Sequence, residues 1–115
     1  MTISELAARR CRPLPAGSPP LDAEHVAEAL AVLHGWATDG KAIEKTWSFE
    51  NYYQTMAFVN AVAWIAHQQD HHPDLAVGYN RCTVRFSTHS VGGLSENDVI
   101  CAARVEMLNA NGNHG

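Results

Sequence analysis

Four of the seven histidines, His67, His71, His72 and His89, fall in one stretch that also holds Asp70, Pro73, Tyr79 and Thr88, with Asp98 a little further on. Imidazole titrates near pH 6.5 when unperturbed, so it can both give and take a proton close to neutrality. A cluster of this kind suits acid/base chemistry or a metal site. His67 and His71 are four residues apart, which on a continuing helix places them on one face. Pro73 disfavours helix at His72, so the chain should leave the helix there and turn His72 away from His71. Two adjacent histidines could then address one cavity from two sides. His89 shares its strand parity with Thr83, Arg85 and Ser87, opposite Val84 and Phe86. Two strands that run out and back after Pro73 can return it to the His71-His72 turn.

Plainer readings compete with each of these. His25, His34 and His114 read as solvated or helix-end histidines, and His67 taken alone reads the same way. Ser95 and Asp98 are accounted for by helix capping. Trp36, Trp47 and Trp64 suit a core or its rim better than a ligand-stacking platform. The metal alternative rests on His67-x-x-x-His71 with a third histidine elsewhere. Gln68, however, stands where a zinc protease would carry its general-base glutamate.

The elements that must position these residues follow from punctuation and period. Residues 11–20 contain four of the five prolines and lack a period, so residues 1–20 are expected as a flexible Pro-rich arm ahead of a domain over 21–110. Asp22 is an N-cap, and Leu21 with Val26 forms a hydrophobic staple, predicting a helix to about His34 with Gly35 as its stop. From Trp36 to Phe49 the pattern alternates around Asp39-Gly40, a two-residue hairpin signal. Tyr52, Met56, Val59, Ala63 and Ala66 repeat at helical spacing, predicting a central helix from Glu50 to about Asp70. Leu75 to Phe86 reads as a second hairpin around Asn80-Arg81. Ser95 then opens a last helix to about Leu108, with Ile100, Ala103 and Met107 facing inward. This order implies an α+β fold, a four-stranded antiparallel sheet with three helices packed on one face.

A chain of 115 residues with 46% hydrophobic and 17% charged residues is one ordinary domain, and no apolar run reaches the roughly 20 residues of a membrane span. The net charge of −4 argues against a nucleic-acid partner, leaving a small molecule or a protein. Cys11, Cys82 and Cys101 have no C-x-x-C spacing and read as three thiols in a reducing cytoplasm. Arg9, Arg10 and Arg12 are not followed by the apolar segment of a secretory signal.

The run His67, three residues, His71-His72-Pro73, five residues, Tyr79, nine residues, His89, eight residues, Asp98 resembles the signature of the pterin-4a-carbinolamine dehydratases. Gly35-Trp36 resembles the start of that family's first strand. Phe49 and Ala57-Phe58-Val59 resemble its central helix, and Thr88-His89 with Gly93-Leu94-Ser95 its last turn. The resemblance spans roughly residues 21–108. Where this chain has His67 the family more often has glutamate, which would raise the basicity of a neighbouring histidine as His67 would not.

The resemblance implies dehydration of a 4a-hydroxytetrahydropterin to the quinonoid dihydropterin and water, with no metal and no cofactor. Such an enzyme would recycle the pterin of aromatic amino acid hydroxylases. His71 and His89 would be the acid/base pair. His72 would complete the catalytic set by binding and orienting the pterin, with His67, Asp70, Pro73, Trp36, Thr88 and Asp98 around it. The resemblance also implies a homodimer or homotetramer. Some relatives act as dimerisation partners of a transcription factor or as assembly helpers of a carbon-fixing enzyme, so a non-catalytic binding module is the alternative. A pure binding module has no need of His71, His72 and His89 together, and all three are present.

Overall fold

A computed structural model describes residues 1–110 of the chain; His114 lies outside the described residues. The elements in order are α1 (Ile3–Ala7), α2 (Ala23–Val32), β1 (Ala37–Thr38), β2 (Ala42–Ser48), α3 (Tyr52–Gln69), β3 (Asp74–Val77), β4 (Arg81–Ser87) and α4 (Glu96–Ala110), with a 3-10 turn at His89–Val91. The four strands form one antiparallel sheet in the order β1-β2-β4-β3. The α+β fold expected from the pattern is the one the chain adopts.

Alternation explains the sheet. Cys82, Val84 and Phe86 of β4 are buried, while Arg81, Thr83, Arg85 and Ser87 point to the other face. Register sets Ile43 of β2 opposite Phe86 and Trp47 opposite Cys82, so both strands present one apolar face to the helices. The outer face is polar and internally paired. The Thr46 and Thr83 hydroxyls meet at 2.7 Å, and Arg85 donates to Glu44 and Asp39, each at 2.7 Å.

The first turn is wider than a two-residue hairpin, because the Asp39 carboxylate accepts from the backbone N–H groups of both Lys41 (2.9 Å) and Ala42 (3.0 Å), and the first paired residues are Thr38 and Ile43. In the second hairpin the Gly78 N–H donates to the Arg81 carbonyl at 2.8 Å, so the turn falls on Tyr79-Asn80, one residue earlier than expected.

The central helix forms where its spacing predicts, but with another stripe inward. Thr55, Phe58, Val62, Ile65, Ala66 and Gln69 are buried, whereas Tyr52 and Ala63 are exposed and Met56 and Val59 only half-buried. An apolar count passes over Thr55 and Gln69, whose polar atoms are satisfied inside. The Thr55 hydroxyl bonds the carbonyls of Asn51 and Tyr79, both at 2.9 Å, and Gln69 Oε1 accepts from the Cys11 N–H at 2.8 Å. Phe58 packs between Trp47 and Phe49, with ring centroids 5.1 Å from each.

Residues 1–20, expected as a flexible arm, contain the helix α1. Thr2 and Glu5 form a reciprocal capping box, both bonds 3.1 Å, and Leu6 is buried in the core. Arg9 reaches Glu96 at 3.0 Å, and its carbonyl accepts from Arg104 at 2.6 Å, so the segment lies along α4. That cover explains why α4 is buried on more than the expected Ile100–Ala103 side: Val99, Cys101, Ala102 and Val105 are buried as well, while Met107 is only half-buried. No helix among the described residues is long and apolar enough to cross a membrane.

Phe58→Ala leaves a cavity that its two aromatic neighbours, Trp47 and Phe49, cannot refill, and a loss of about 3–5 kcal/mol is expected. Urea unfolding followed by tryptophan fluorescence measures it, and an unchanged midpoint would refute this account of the core.

Candidate functional site

The site is assembled where the end of α3, the end of β4 and the start of α4 converge. Helix α3 stops at Gln69 because Asp70 adopts a left-handed backbone (φ 50°), a conformation that asparagine and aspartate tolerate better than most residues. The Asp70 and His71 N–H groups then bond back to the carbonyls of His67 (3.4 Å) and Ala66 (3.2 Å), respectively. This turn separates the two histidines that a continuing helix would align. His67 stays exposed on α3, stacked on Trp64 with ring centroids 5.7 Å apart, while His71 swings inward.

His71 Nε2 lies 2.5 Å from Asp98 Oδ1, and its ring stacks on Phe86 at 6.0 Å. Asp98 is fully buried. Its other oxygen, Oδ2, accepts from the Thr88 hydroxyl (2.8 Å) and from the Ser95 N–H (2.9 Å). Ser95 Oγ in turn contacts Thr88 Oγ1 at 2.7 Å and accepts from the Asn97 N–H at 3.2 Å. Asp98 is therefore both the capping carboxylate of α4 and the partner of His71, two readings that looked like alternatives.

Thr88 links this arrangement to His89. Its backbone pairs with Gly93 (N–H to carbonyl 3.0 Å and 3.4 Å in the two directions), and Gly92 (φ 71°) closes the turn between them. A cavity of about 350 Å³ holds His71 together with Cys11, Arg12, Asp70, Thr88 and Asn97. A second of about 350 Å³ holds His89 with Lys41, Asp74, Arg85, Ser87 and Thr88. Thr88 is common to both. His72 is exposed and Pro73 half-buried, and they lead directly into Asp74 on the His89 side.

Trp36, expected to line the pocket, sits in the core instead. Its indole N–H donates to Glu106 at 2.8 Å and its ring faces Phe86 at 6.3 Å, so it meets the site only through the ring on which His71 stacks. Glu106 also receives Lys45 Nζ at 2.5 Å, a pairing that holds the tryptophan's partner in place. Sequence reasoning missed Cys11, Gln69 and Asn97. Asn97 accepts from the Arg12 N–H (3.2 Å) and donates to the Arg12 carbonyl (2.8 Å). Nothing local marks these residues, since the partners of their side chains are more than fifty positions away in the chain. Among the described residues, no group of three histidine, cysteine, aspartate or glutamate side chains is placed to hold a metal ion.

Burial works against a charged His71, but the hydrogen bond and charge of Asp98, with smaller help from Cys11 and Asp70, hold its pKa above the ordinary histidine value. A raised folded-state pKa means that the pair's stabilisation is fully present below about pH 6.5 and is lost as pH rises through the folded value. Asp98→Asn keeps an acceptor for the Ser95 N–H but removes the charge, leaving burial dominant. An NMR titration of the His71 ring should show a midpoint above about 6.5 in the native protein and below it in the variant; an unmoved midpoint would sink the electrostatic assignment.

Comparison with known proteins places these features in context. Residues 19–108 match the family described as pterin 4 alpha carbinolamine dehydratase. A Nitrosospira multiformis protein, provisionally named a pterin-4-alpha-carbinolamine dehydratase, is 56% identical over 107 residues, covering 93% of this chain and 95% of its own. A Nitrosomonas eutropha protein with the same provisional name is 58% identical over 107 residues, covering 92% and 95%. Among solved structures, a transcriptional coactivator/pterin dehydratase from Brucella melitensis superposes with a TM-score of 0.73 at 33% identity, covering 77% of this chain and 97% of its own. A pterin dehydratase-like RuBisCO assembly factor of the alpha-carboxysome gives a TM-score of 0.56 at 28% identity, covering 65% and 89%.

Proposed function

The chain belongs to the pterin 4 alpha carbinolamine dehydratase family, and from that premise we propose that it dehydrates a 4a-hydroxytetrahydropterin to the quinonoid dihydropterin and water. The reaction breaks the C4a–O bond and forms a C4a=N5 double bond. One proton must reach the leaving hydroxyl and one must leave N5, so two imidazoles in complementary protonation states complete the chemistry.

The observation that carries this reading is the commitment of His71 Nε2 to buried Asp98. That bond leaves Nδ1 as the ring nitrogen available for proton exchange, and it favours the imidazolium. His71 is therefore the acid that protonates the departing hydroxyl. His89, reached through Thr88, is the base that takes the N5 proton. Asp98 acts through His71 and is a positioning residue. His72, with Asp70 and Pro73, orients the pterin at the mouth. His67 lies one turn back on α3 and reaches the substrate only at its edge.

The presence of His71, His72 and His89 together supports catalysis over a purely protein-binding role of the kind named for the alpha-carboxysome relative. In this reading the protein works in the cytoplasm as a homodimer or homotetramer, needs no cofactor, and returns the pterin used by aromatic amino acid hydroxylases to its redox cycle.

The test generates the carbinolamine in situ with a phenylalanine hydroxylase, under a chelator throughout, and follows dehydration above the spontaneous rate. The native protein should accelerate it, and His71→Ala and His89→Ala should each lower kcat/KM by about 10²–10⁴-fold. Folded variants that retain full activity would overturn the acid/base assignment, and activity lost to the chelator would overturn the metal-free reading.

A further inference from the structure

One pair of nucleophilic side chains at the wall of the His71 cavity has no part in the dehydration. Cys11 Sγ and Cys101 Sγ are 3.5 Å apart, although the residues are ninety positions apart in sequence. Cys11 is half-buried and lines the cavity that holds His71, whereas Cys101 is fully buried on α4. Cys101 follows Asp98 by three residues on the same helix, and so lies about one turn beyond it.

The contact is held from both sides. The Cys11 N–H is fixed by Gln69 at 2.8 Å, the Arg12 backbone is clamped by Asn97 through both its N–H and its carbonyl, and Cys11 Sγ also lies 3.5 Å from the Asn97 carbonyl. The two sulfurs are thus presented to each other by anchors at the end of α3 and the start of α4. Bond formation would draw this 3.5 Å contact in to the roughly 2.05 Å of a disulfide.

We propose that Cys11 and Cys101 are a redox-active pair that a peroxide converts into an intramolecular disulfide, tethering the N-terminal segment to α4 beside His71. The asymmetry of the pair supports a direction for the reaction. The contact with Cys101, then the nearby positive groups His71 and Arg104, outweigh burial to hold the Cys11 thiol below its ordinary pKa; the same contact and burial push Cys101 up. Thiolate is the reactive form.

Cys11 therefore attacks one peroxide oxygen, forming an S–O bond as the O–O bond breaks, and the departing hydroxide takes up a proton as water. Cys101 then attacks the Cys11 sulfur. The S–S bond forms, the S–O bond breaks, and the leaving hydroxide carries off the Cys101 proton as a second water. Two thiols lose two electrons and two protons, and the peroxide is reduced to two waters. Cys82, buried on β4, takes no part.

Full-length protein is treated with hydrogen peroxide and quenched with catalase, remaining thiols are alkylated, and the chain is mapped by mass spectrometry without and with dithiothreitol. The expected result is loss of two of the three thiols, a peptide joining Cys11 to Cys101, and reversal by dithiothreitol. Cys11→Ser and Cys101→Ser should each abolish the link, and Cys82→Ala should keep it, with circular dichroism checking that each variant folds. In the native chain, Cys11 stopping at sulfinic acid without a cross-link, a link through Cys82, a link only between two chains, or three thiols surviving would each overturn the proposal. These readouts do not depend on turnover, so dehydratase activity can fail without touching them.

Discussion

A single buried carboxylate organises the candidate site of this protein. Asp98 is withdrawn from water at the first turn of α4, and a lone charge there would be strongly unfavourable. Three donors from three elements offset that cost: His71 after α3, Thr88 after β4, and the Ser95 N–H at the start of α4. Removing one partner from a buried charged pair generally costs about 3–5 kcal/mol. The convergence of helix, strand and helix is therefore enforced by electrostatics as well as by apolar packing. The N-terminus of α4 contributes further, since its unpaired N–H groups favour negative charge.

The same carboxylate sets the state of the His71 ring. It fixes which ring nitrogen of His71 is committed and which is available, and it favours the protonated ring against the effect of burial. Phe86 supplies the other constraint. It belongs to the buried face of β4, stacks on His71 and also meets Trp36, so the ring's orientation is inherited from the core. Thr88, the next buried residue of that parity, carries the connection to His89. Rigid strand geometry thus spaces His71 and His89, while the loop between Thr88 and Gly93 leaves His89 exposed at the end of the sheet.

The N-terminal segment completes the structure from outside. Leu6 closes the far side of α4, and Cys11 and Arg12 form a wall of the His71 cavity through Gln69 and Asn97. The proline-rich stretch that follows has few backbone donors and runs irregularly to Leu21, whose N–H bonds the Leu94 carbonyl at 2.8 Å. Each wall of the site is therefore borrowed from an element whose main task is packing.

Local physics made much of this legible in the chain. The alternation of Cys82, Val84 and Phe86, the long helical period before Asp70, the caps at Asp22 and Ser95, and the breaks at Gly35 and Gly92-Gly93 each act over a few residues, and those elements formed where their patterns lie. The capping box of Thr2 and Glu5 was legible too, but five residues of helix carry too little periodicity to stand out beside so many prolines. Tertiary structure alone decided the rest. Which stripe of α3 turned inward depended on distant partners for Thr55 and Gln69. The left-handed Asp70, rather than a continuing helix, determined that His71 and not His67 met Asp98. The residue types along the chain determined that proton-transfer chemistry was possible; only the folded arrangement decided which imidazole would be held, by which oxygen, and at which nitrogen, because those choices rest on contacts between residues that no local period connects.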